Sequence, residues 1–162
     1  MSSHARLERI PILLIRHADA GDRRDWTGDD RLRPISARGR RQAQGLCKAL
    51  RVRSPQRVWS SPYTRCLQTV KPLAAWLRVE TEVTEELSEG PGAQAVALLR
   101  TIANDKVALC SHGDVLADIL VALADEDHLD LGPRPRQAKG SAWLLEADRG
   151  TFVHASYLAP SA

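Results

Sequence analysis

The sequence predicts a three-layer α/β sandwich, in which helices flank a mainly parallel central sheet. Short apolar, β-prone segments alternate with longer amphipathic segments in the order β-α-β-α-β-α-β-α. Two β-prone segments separated by a glycine-containing turn follow, and they add a C-terminal β-hairpin. The 162 residues suit one domain over 1–162. Residues 1–9 are polar and charged, so we expect an irregular or disordered N-terminus there.

Composition excludes several classes of protein. With 43% apolar and 27% charged residues, the chain resembles an ordinary globular protein. The net charge of +3 is mild, and aromatic residues do not alternate with basic ones, so we expect no nucleic-acid polymer as partner. No apolar run reaches the roughly 18 residues of a membrane span, so we expect no membrane partner.

The cysteines indicate a reducing compartment. There are three of them, they are far apart and no CxxC pair occurs, so neither a disulfide framework nor a zinc site is expected. The N-terminus lacks the apolar core of a signal peptide. We therefore expect a cytoplasmic protein.

The first strand ends in a charged pair. Ile10–Ile15 is apolar apart from one proline and stops at Arg16 and His17, as expected of a buried strand. The polar segment Gly21–Arg33 predicts a loop over the strand end. Ser36 is a typical N-cap for the next helix, which is expected to end near residue 51. Its apolar residues recur every three or four positions, at Ala43, Leu46, Cys47 and Leu50.

The remaining elements repeat this alternation. Arg57–Ser60 predicts a second strand, and Tyr63–Leu77 predicts a helix that Pro72 could kink. Next come a strand at Val79–Val83 and a loop at Glu85–Gly92. The later elements are a helix at 93–103, a strand at 106–111, a helix at 115–124, an irregular loop at 125–139 and hairpin strands at 141–146 and 151–157.

Three strand-to-helix junctions carry the candidate site. Arg16 and His17 follow the first strand, Arg65 lies at the start of the second helix, and His112 follows the fourth strand. The carboxyl ends of neighbouring parallel strands meet at one edge of the sheet, where ligands bind. Two guanidinium groups, two imidazoles and two helix N-termini there would favour a phosphate group.

Two histidines in one anion site suggest that each has a different role in a reaction. One can attack phosphorus, and the other can donate a hydrogen bond to the oxygens as charge develops. A metal ion is the rival explanation, but the arginines would repel a divalent cation, so we expect no metal. Trp26 and Tyr63 could shape the substrate mouth. The other histidines (His4, His128 and His154) are expected at the surface, and Trp59, Trp76 and Trp143 are expected to fill the core or cover sheet edges.

Four segments in the correct order resemble a known family. Leu14–Ala18 resembles the first motif of the histidine phosphatase (phosphoglycerate-mutase-like) superfamily, with Ala18 replacing the usual glycine. Ser60–Thr69 resembles its second block and Ser111–Gly113 its third. Arg33–Gly39 is similar to the corresponding segment of the small SixA-type phosphohistidine phosphatases.

This resemblance implies roles for the site residues. His17 would be the phosphorylated nucleophile, while Arg16, Arg65, His112 and Gly113 would hold the phosphoryl group. No cofactor or metal is implied. The resemblance does not assign the proton donor. Glu89 best matches the position of the glutamate that larger family members carry after the third strand, and the alternatives are Glu85, Glu86, Asp114 or no acid at all.

The resemblance also implies a substrate class. The chain lacks the long helical insertion that covers the site in larger members, and an open site suits a phosphohistidine on a protein. The alternative is a nucleotide or small-metabolite phosphomonoesterase, since the sequence also resembles the C-terminal phosphatase domain of actinobacterial two-domain Nudix hydrolases. A mutase is disfavoured because a chain of this length leaves little room for a water-excluding lid. A non-catalytic module that binds phosphorylated ligands is the third reading.

Overall fold

A computed structural model describes residues 10–161 of the chain. The expectations for residues 1–9 and for His4 therefore lie outside the described residues. The strands are β1 (Ile10–Arg16), β2 (Arg57–Ser60), β3 (Thr81–Val83), β4 (Val107–Ser111), β5 (Ala142–Asp148) and β6 (Thr151–Leu158). The α-helices are α1 (Ala37–Leu50), α2 (Thr64–Leu77), α3 (Ala93–Thr101) and α4 (Gly113–Glu126).

The six strands form one sheet in the order β3-β2-β4-β1-β5-β6. The first four strands of that order pair in parallel, whereas β5 is antiparallel to both of its neighbours. Arg16 is in register with Ser111, and Ser60 is in register with Cys110. The carboxyl ends of β1, β4 and β2 therefore lie side by side, and the predicted mainly parallel sheet is confirmed.

Helices cover both faces of the sheet and bury two separate apolar cores. Residues of α3 and α4 pack on one face, together with Leu14, Leu109 and Phe152. Residues of α1 and α2 pack on the other face, together with Leu13 and Val58. All five residues of β4 are buried, as expected of a strand covered on both faces. The result is the predicted three-layer sandwich with its C-terminal hairpin.

Local sequence signals explain where the helices begin. The hydroxyl of Ser36 accepts a hydrogen bond from the N–H of Gly39 at 3.0 Å, which caps α1 as predicted. Helix α2 continues through Pro72 to Leu77. Helix α4 begins at Gly113, two residues earlier than predicted, because the extended residue His112 is itself its N-cap residue. The N-terminus of α4 thus follows the second predicted catalytic histidine directly.

Some expectations need correction. The strand β3 begins at Thr81 rather than Val79, and α3 ends at Thr101. The Gly21–Arg33 loop contains two single-turn 3-10 helices, at 23–25 and 30–32. Aspartate side chains cap these turns by accepting backbone N–H groups: Asp22 from Arg24 and Asp29 from Arg31.

The tryptophan expectation was wrong at one position. Trp76 is 58% exposed, and its ring packs against the guanidinium of Arg51, 3.9 Å from the ring centroid. Trp143 is buried and Trp59 packs against the core, as expected. The two predicted surface histidines that the structure describes, His128 and His154, are exposed. Over residues 10–161, no helix is long and apolar enough to cross a membrane.

Candidate active site

Two buried histidines meet at the carboxyl end of the sheet. The backbone N–H of His17, just after β1, donates to the carbonyl of Ser111 at the end of β4, with a distance of 3.0 Å. This parallel pairing brings the ring of His17 to 5.4 Å from the ring of His112, centroid to centroid, in an edge-to-face arrangement. Both side chains are almost completely buried.

His17 is held in the form that a nucleophile requires. Its Nδ1 lies 2.8 Å from the carbonyl oxygen of Ala18, so Nδ1–H donates there and Nε2 keeps its lone pair. The N–H of Ala18 donates to the hydroxyl of Thr69 at 2.9 Å, which ties this backbone to α2. Burial is the main cause that lowers the pKa of His17 from 6.5 to about 3, and the nearby charges of Arg65 and Arg16 act in the same direction. His17 is therefore neutral at pH 7.

His112 is held through its other ring nitrogen. Its Nε2 lies 2.9 Å from the hydroxyl of Ser61 and 3.6 Å from the sulfur of Cys66. Because the Ser61 hydroxyl already accepts the N–H of Tyr63 at 3.2 Å, its proton is free to be donated to Nε2. This arrangement favours the tautomer with the proton on Nδ1 of His112. That atom is buried and has no hydrogen-bond partner among the described residues.

Arg65 is completely buried at the start of α2. Its two terminal nitrogens donate to Asp30, one to the backbone carbonyl at 2.8 Å and one to the carboxylate at 3.1 Å. One of them also lies 3.5 Å from the carboxylate of Glu89. The ring of Tyr63 packs 4.8 Å from the guanidinium carbon. The Nε of Arg65, in contrast, is buried without a partner in the described part of the chain.

Arg16 is held by a hydrogen bond to a loop residue and packs closely on a glycine. One terminal nitrogen donates to the carbonyl of Gln137 at 2.8 Å. The guanidinium packs on Gly113, where a Cβ would come within 2.8 Å of the guanidinium carbon. The Nε of Arg16 is the third unpartnered buried donor that this site contributes within residues 10–161.

An open cleft of about 550 Å³ is lined by Arg16, His17 and Gly113 of this site, whereas the buried Arg65 and His112 are not among its lining residues. Cations, carboxylates and glycines line it together with His17. Its lining residues are Arg16, His17, Gly21, Asp22, Arg23, Arg33, Glu89, Gly113, Asp114 and Lys139. The Gly21–Arg33 loop thus forms one wall, as predicted.

Of the four candidate acids, the structure brings two to the cleft. Glu89 accepts from Arg23 at 2.8 Å and lies near Arg65, while Asp114 accepts the backbone N–H of Gly90 at 2.9 Å. Glu85 and Glu86 are exposed and do not line the cleft. The bond from the Gly90 N–H to Asp114 holds the short loop that carries Glu89. Of the two residues expected at the substrate mouth, Tyr63 packs on His112, with 4.5 Å between the ring centroids. Trp26 is not among the residues that line the cleft.

Sequence reasoning missed several partners of the predicted residues. Ser61 lies inside the second block of the family resemblance, directly after a strand. That position could have predicted that its hydroxyl would lie near His112. Asp30 and Gln137 carry no such signal, because their contacts depend on how two irregular loops fold back. Within the described residues, no three His, Cys, Asp or Glu side chains form a group that could hold a metal ion.

Comparisons with known proteins identify one family. The family model of the histidine phosphatase superfamily (branch 1) matches residues 12–95. The 8-oxo-(d)GTP phosphatase of Mycolicibacterium smegmatis is 32% identical over 158 residues, which cover 92% of this chain but 48% of that protein. The chain therefore spans about half the length of this curated relative.

Solved structures show the same fold. The protein histidine phosphatase SixA, complexed with tungstate, matches with a TM-score of 0.74 and 19% identity over 94% of this chain and 97% of that one. A protein from Agrobacterium tumefaciens, provisionally named as the phosphohistidine phosphatase SixA, matches with a TM-score of 0.75 and 22% identity over 94% and 99%. At these identities the likeness concerns the fold alone.

Proposed function

The chain belongs to the histidine phosphatase superfamily (branch 1), and from this premise we propose that it is a phosphatase that works through a phosphorylated His17 without a metal ion. The observation that carries the proposal is the pairing of a neutral, buried His17 with three unpartnered donors around it. These donors are Nε of Arg16, Nε of Arg65 and Nδ1 of His112, all unpaired within the described chain. Buried donors without partners are costly, and phosphoryl oxygens would satisfy them.

The proposed reaction has two steps. The lone pair on Nε2 of His17 attacks phosphorus, the bond from phosphorus to the leaving group breaks, and the leaving group departs with a proton from the carboxyl group of Glu89. Water then attacks the phosphohistidine and gives a proton to the Glu89 carboxylate, the bond from phosphorus to nitrogen breaks, and inorganic phosphate and neutral His17 result. Arg16, Arg65 and His112 stabilise the charge on the oxygens in both steps.

Glu89 is the proposed proton donor. Of the candidates it alone lines the cleft while lying near Arg65, and its carboxylate also contacts Arg23. Asp114 is better suited to a supporting role, because its carboxylate is bonded to the backbone of Gly90 and Val115. A phosphohistidine leaving group needs less help from an acid than an alkyl alcohol does.

We propose phosphohistidine on a protein as the substrate. The connection between β3 and α3 spans residues 84–92 and contributes one single-turn helix, so among residues 10–161 no helical cap lies over the cleft. An uncovered cleft admits a bulky protein surface. The predicted cytoplasmic location suits this role and stays a prediction.

A nucleotide is the second candidate substrate. It is favoured by the 32% identity to a protein named 8-oxo-(d)GTP phosphatase, which covers 92% of this chain. Arg23, Arg33 and Lys139 line the cleft beyond the buried site and could contact a second phosphate. A substrate panel of phosphohistidine peptides, nucleoside mono- and diphosphates and sugar phosphates, compared by kcat/KM, separates the two.

The His17→Ala variant tests the proposal itself. It should lose turnover of p-nitrophenyl phosphate and of phosphohistidine peptide, and acid-quenched wild-type enzyme should carry phosphate on His17. Turnover that survives in this variant would refute the mechanism, and wild-type protein with no turnover of any panel member would support a non-catalytic binding module. Millimolar EDTA should leave activity unchanged, and its loss would refute the metal-free reaction.

A further inference from the structure

A second concave surface lies between α1 and α2, outside the active site. This α1/α2 groove has a volume of about 570 Å³. Its floor is apolar, with Ile35 and Ala43 buried and Pro72 half-buried. The polar residues that line the groove are Arg40, Arg41, Gln44, Gln68 and Lys71.

The charges around the groove have one sign. Arg40 and Arg41 of α1 and Lys71 of α2 are exposed, and no carboxylate lines the groove. Their side chains make no hydrogen bond or ion pair with any residue in the described part of the chain. Elsewhere exposed arginines such as Arg31 and Arg57 bond to glutamates. The groove thus presents cations that an anionic partner could neutralise.

The helix makes these charges unfavourable in the isolated protein. Arg40 and Arg41 lie near the N-terminal end of α1, and the first turn of this helix contains no acidic residue. The positive end of a helix dipole repels cations, so anionic side chains bound there would relieve that repulsion.

The groove adjoins the catalytic cleft. Arg33 lines the cleft and Ile35 lines the groove, two residues further along the chain. The N–H of Ile35 donates to the Gln68 side chain at 2.8 Å, which joins this segment to α2. Along α2, Arg65 of the active site and Lys71 of the groove are separated by about 9 Å of helix rise. An extended chain of a few residues spans such a distance.

We propose that the α1/α2 groove binds an acidic segment of the phosphorylated protein whose phosphohistidine enters the cleft. This proposal rests on the function proposed above and adds a docking site to it. Carboxylates of the segment contact Arg40, Arg41 and Lys71, and an intervening apolar side chain packs on the floor around Ile35 and Pro72. The groove thereby contributes to the choice of protein substrate.

Kinetics with matched peptides tests the proposal. The substrates are a phosphohistidine peptide that continues into an alternating Glu-Leu segment, the same peptide with Gln in place of Glu, and p-nitrophenyl phosphate. The Arg40→Glu/Arg41→Glu variant should raise KM for the acidic peptide about tenfold with kcat unchanged, because attraction becomes repulsion. Turnover of the other two substrates should stay the same.

Two further variants serve as controls. Lys48→Glu/Arg53→Glu makes the same change in net charge at exposed residues outside the groove and should leave all KM values unchanged. Lys71→Glu changes the groove residue that α2 contributes, and it should also raise KM for the acidic peptide. Equal KM values for the acidic and neutral peptides in the wild type would overturn the proposal, as would equal effects of the groove and control variants.

A binding measurement separates this proposal from the catalytic one. Fluorescence anisotropy with the labelled, unphosphorylated Glu-Leu peptide needs no turnover and can use the His17→Ala variant. Binding that weakens in the Arg40→Glu/Arg41→Glu variant supports the groove even if no phosphatase activity is found. Unchanged peptide binding, or tighter groove-dependent binding of a single-stranded oligonucleotide, would overturn the docking proposal while leaving the phosphatase assignment intact.

Discussion

Gly113 lies so close to the guanidinium group of Arg16 that a Cβ atom there would be 2.8 Å from the guanidinium carbon. The glycine after His112 therefore has a steric reason, since its backbone φ is not in the left-handed region. It lets Arg16 pack flat on the first turn of α4, where the helix N-terminus and the guanidinium can act on the same anion.

The Gly113→Ala variant should displace Arg16. Because the group it displaces is the far end of a flexible side chain, the variant should lose little stability, but the shift of Arg16 should lower kcat/KM for p-nitrophenyl phosphate about 10- to 100-fold. A double-mutant cycle with Arg16→Ala provides the control, because Gly113→Ala should have little further effect once the side chain it displaces is gone. Additive losses in the cycle would contradict the steric explanation.

Ser61→Ala should impair His112 without removing it. The variant deletes the hydroxyl 2.9 Å from Nε2, so the tautomer with the proton on Nδ1 loses its main support. We expect kcat for p-nitrophenyl phosphate to fall about tenfold, with a smaller change in KM, in line with the loss of one buried hydrogen bond. Ser88→Ala removes an exposed hydroxyl that bonds to Glu85 and should leave kcat unchanged. An unaltered kcat in Ser61→Ala would show that His112 needs no such support.

His17 should make the stability of the protein depend on pH. Its pKa is about 3 in the folded chain and near 6.5 when exposed, so the unfolded chain binds the extra proton between these values. Within that window the free energy of unfolding should fall by about 1.4 kcal/mol for each unit of pH decrease. Above pH 6.5 His17 is neutral in both the folded and the unfolded chain, so it causes no further change of the free energy of unfolding with pH.

Urea unfolding measured between pH 7 and pH 4 checks this expectation. The His17→Asn variant, which cannot take up the proton, should show a flatter dependence on pH than the wild type. Because carboxylates titrate in the same window, the difference between the two proteins is the quantity to compare. Identical slopes would mean that His17 is not held neutral by burial.

Glu89→Gln should affect substrates according to their leaving groups. A glutamine cannot deliver a proton, so turnover of an alkyl phosphate should fall about tenfold or more, whereas p-nitrophenyl phosphate needs no protonation and should change little. The measurement is kcat for both substrates in the wild type and the variant. Equal losses for the two would instead indicate that Glu89 only positions Arg23 and Arg65.

The sequence predicted the centre of the site better than its surroundings. Arg16, His17 and His112 follow apolar strands directly, so once the strands pair in parallel these side chains must meet. The bond from Arg65 to Asp30 could not be foreseen, because it depends on the path of a polar loop that contains two 3-10 turns. The exposure of Trp76 was missed for a related reason: helical spacing alone does not say that Arg51 will cover the ring.

The strand β1 carries Arg16 and His17, yet both of its neighbours in the sheet, β4 and β5, come from the later half of the chain. During synthesis this apolar strand is therefore made before either of the strands that pair with its edges, at residues 107–111 and 142–148. Under the proposed mechanism, His17 is made before the surroundings that would make it a nucleophile, so a chain truncated before residue 142 should be inactive.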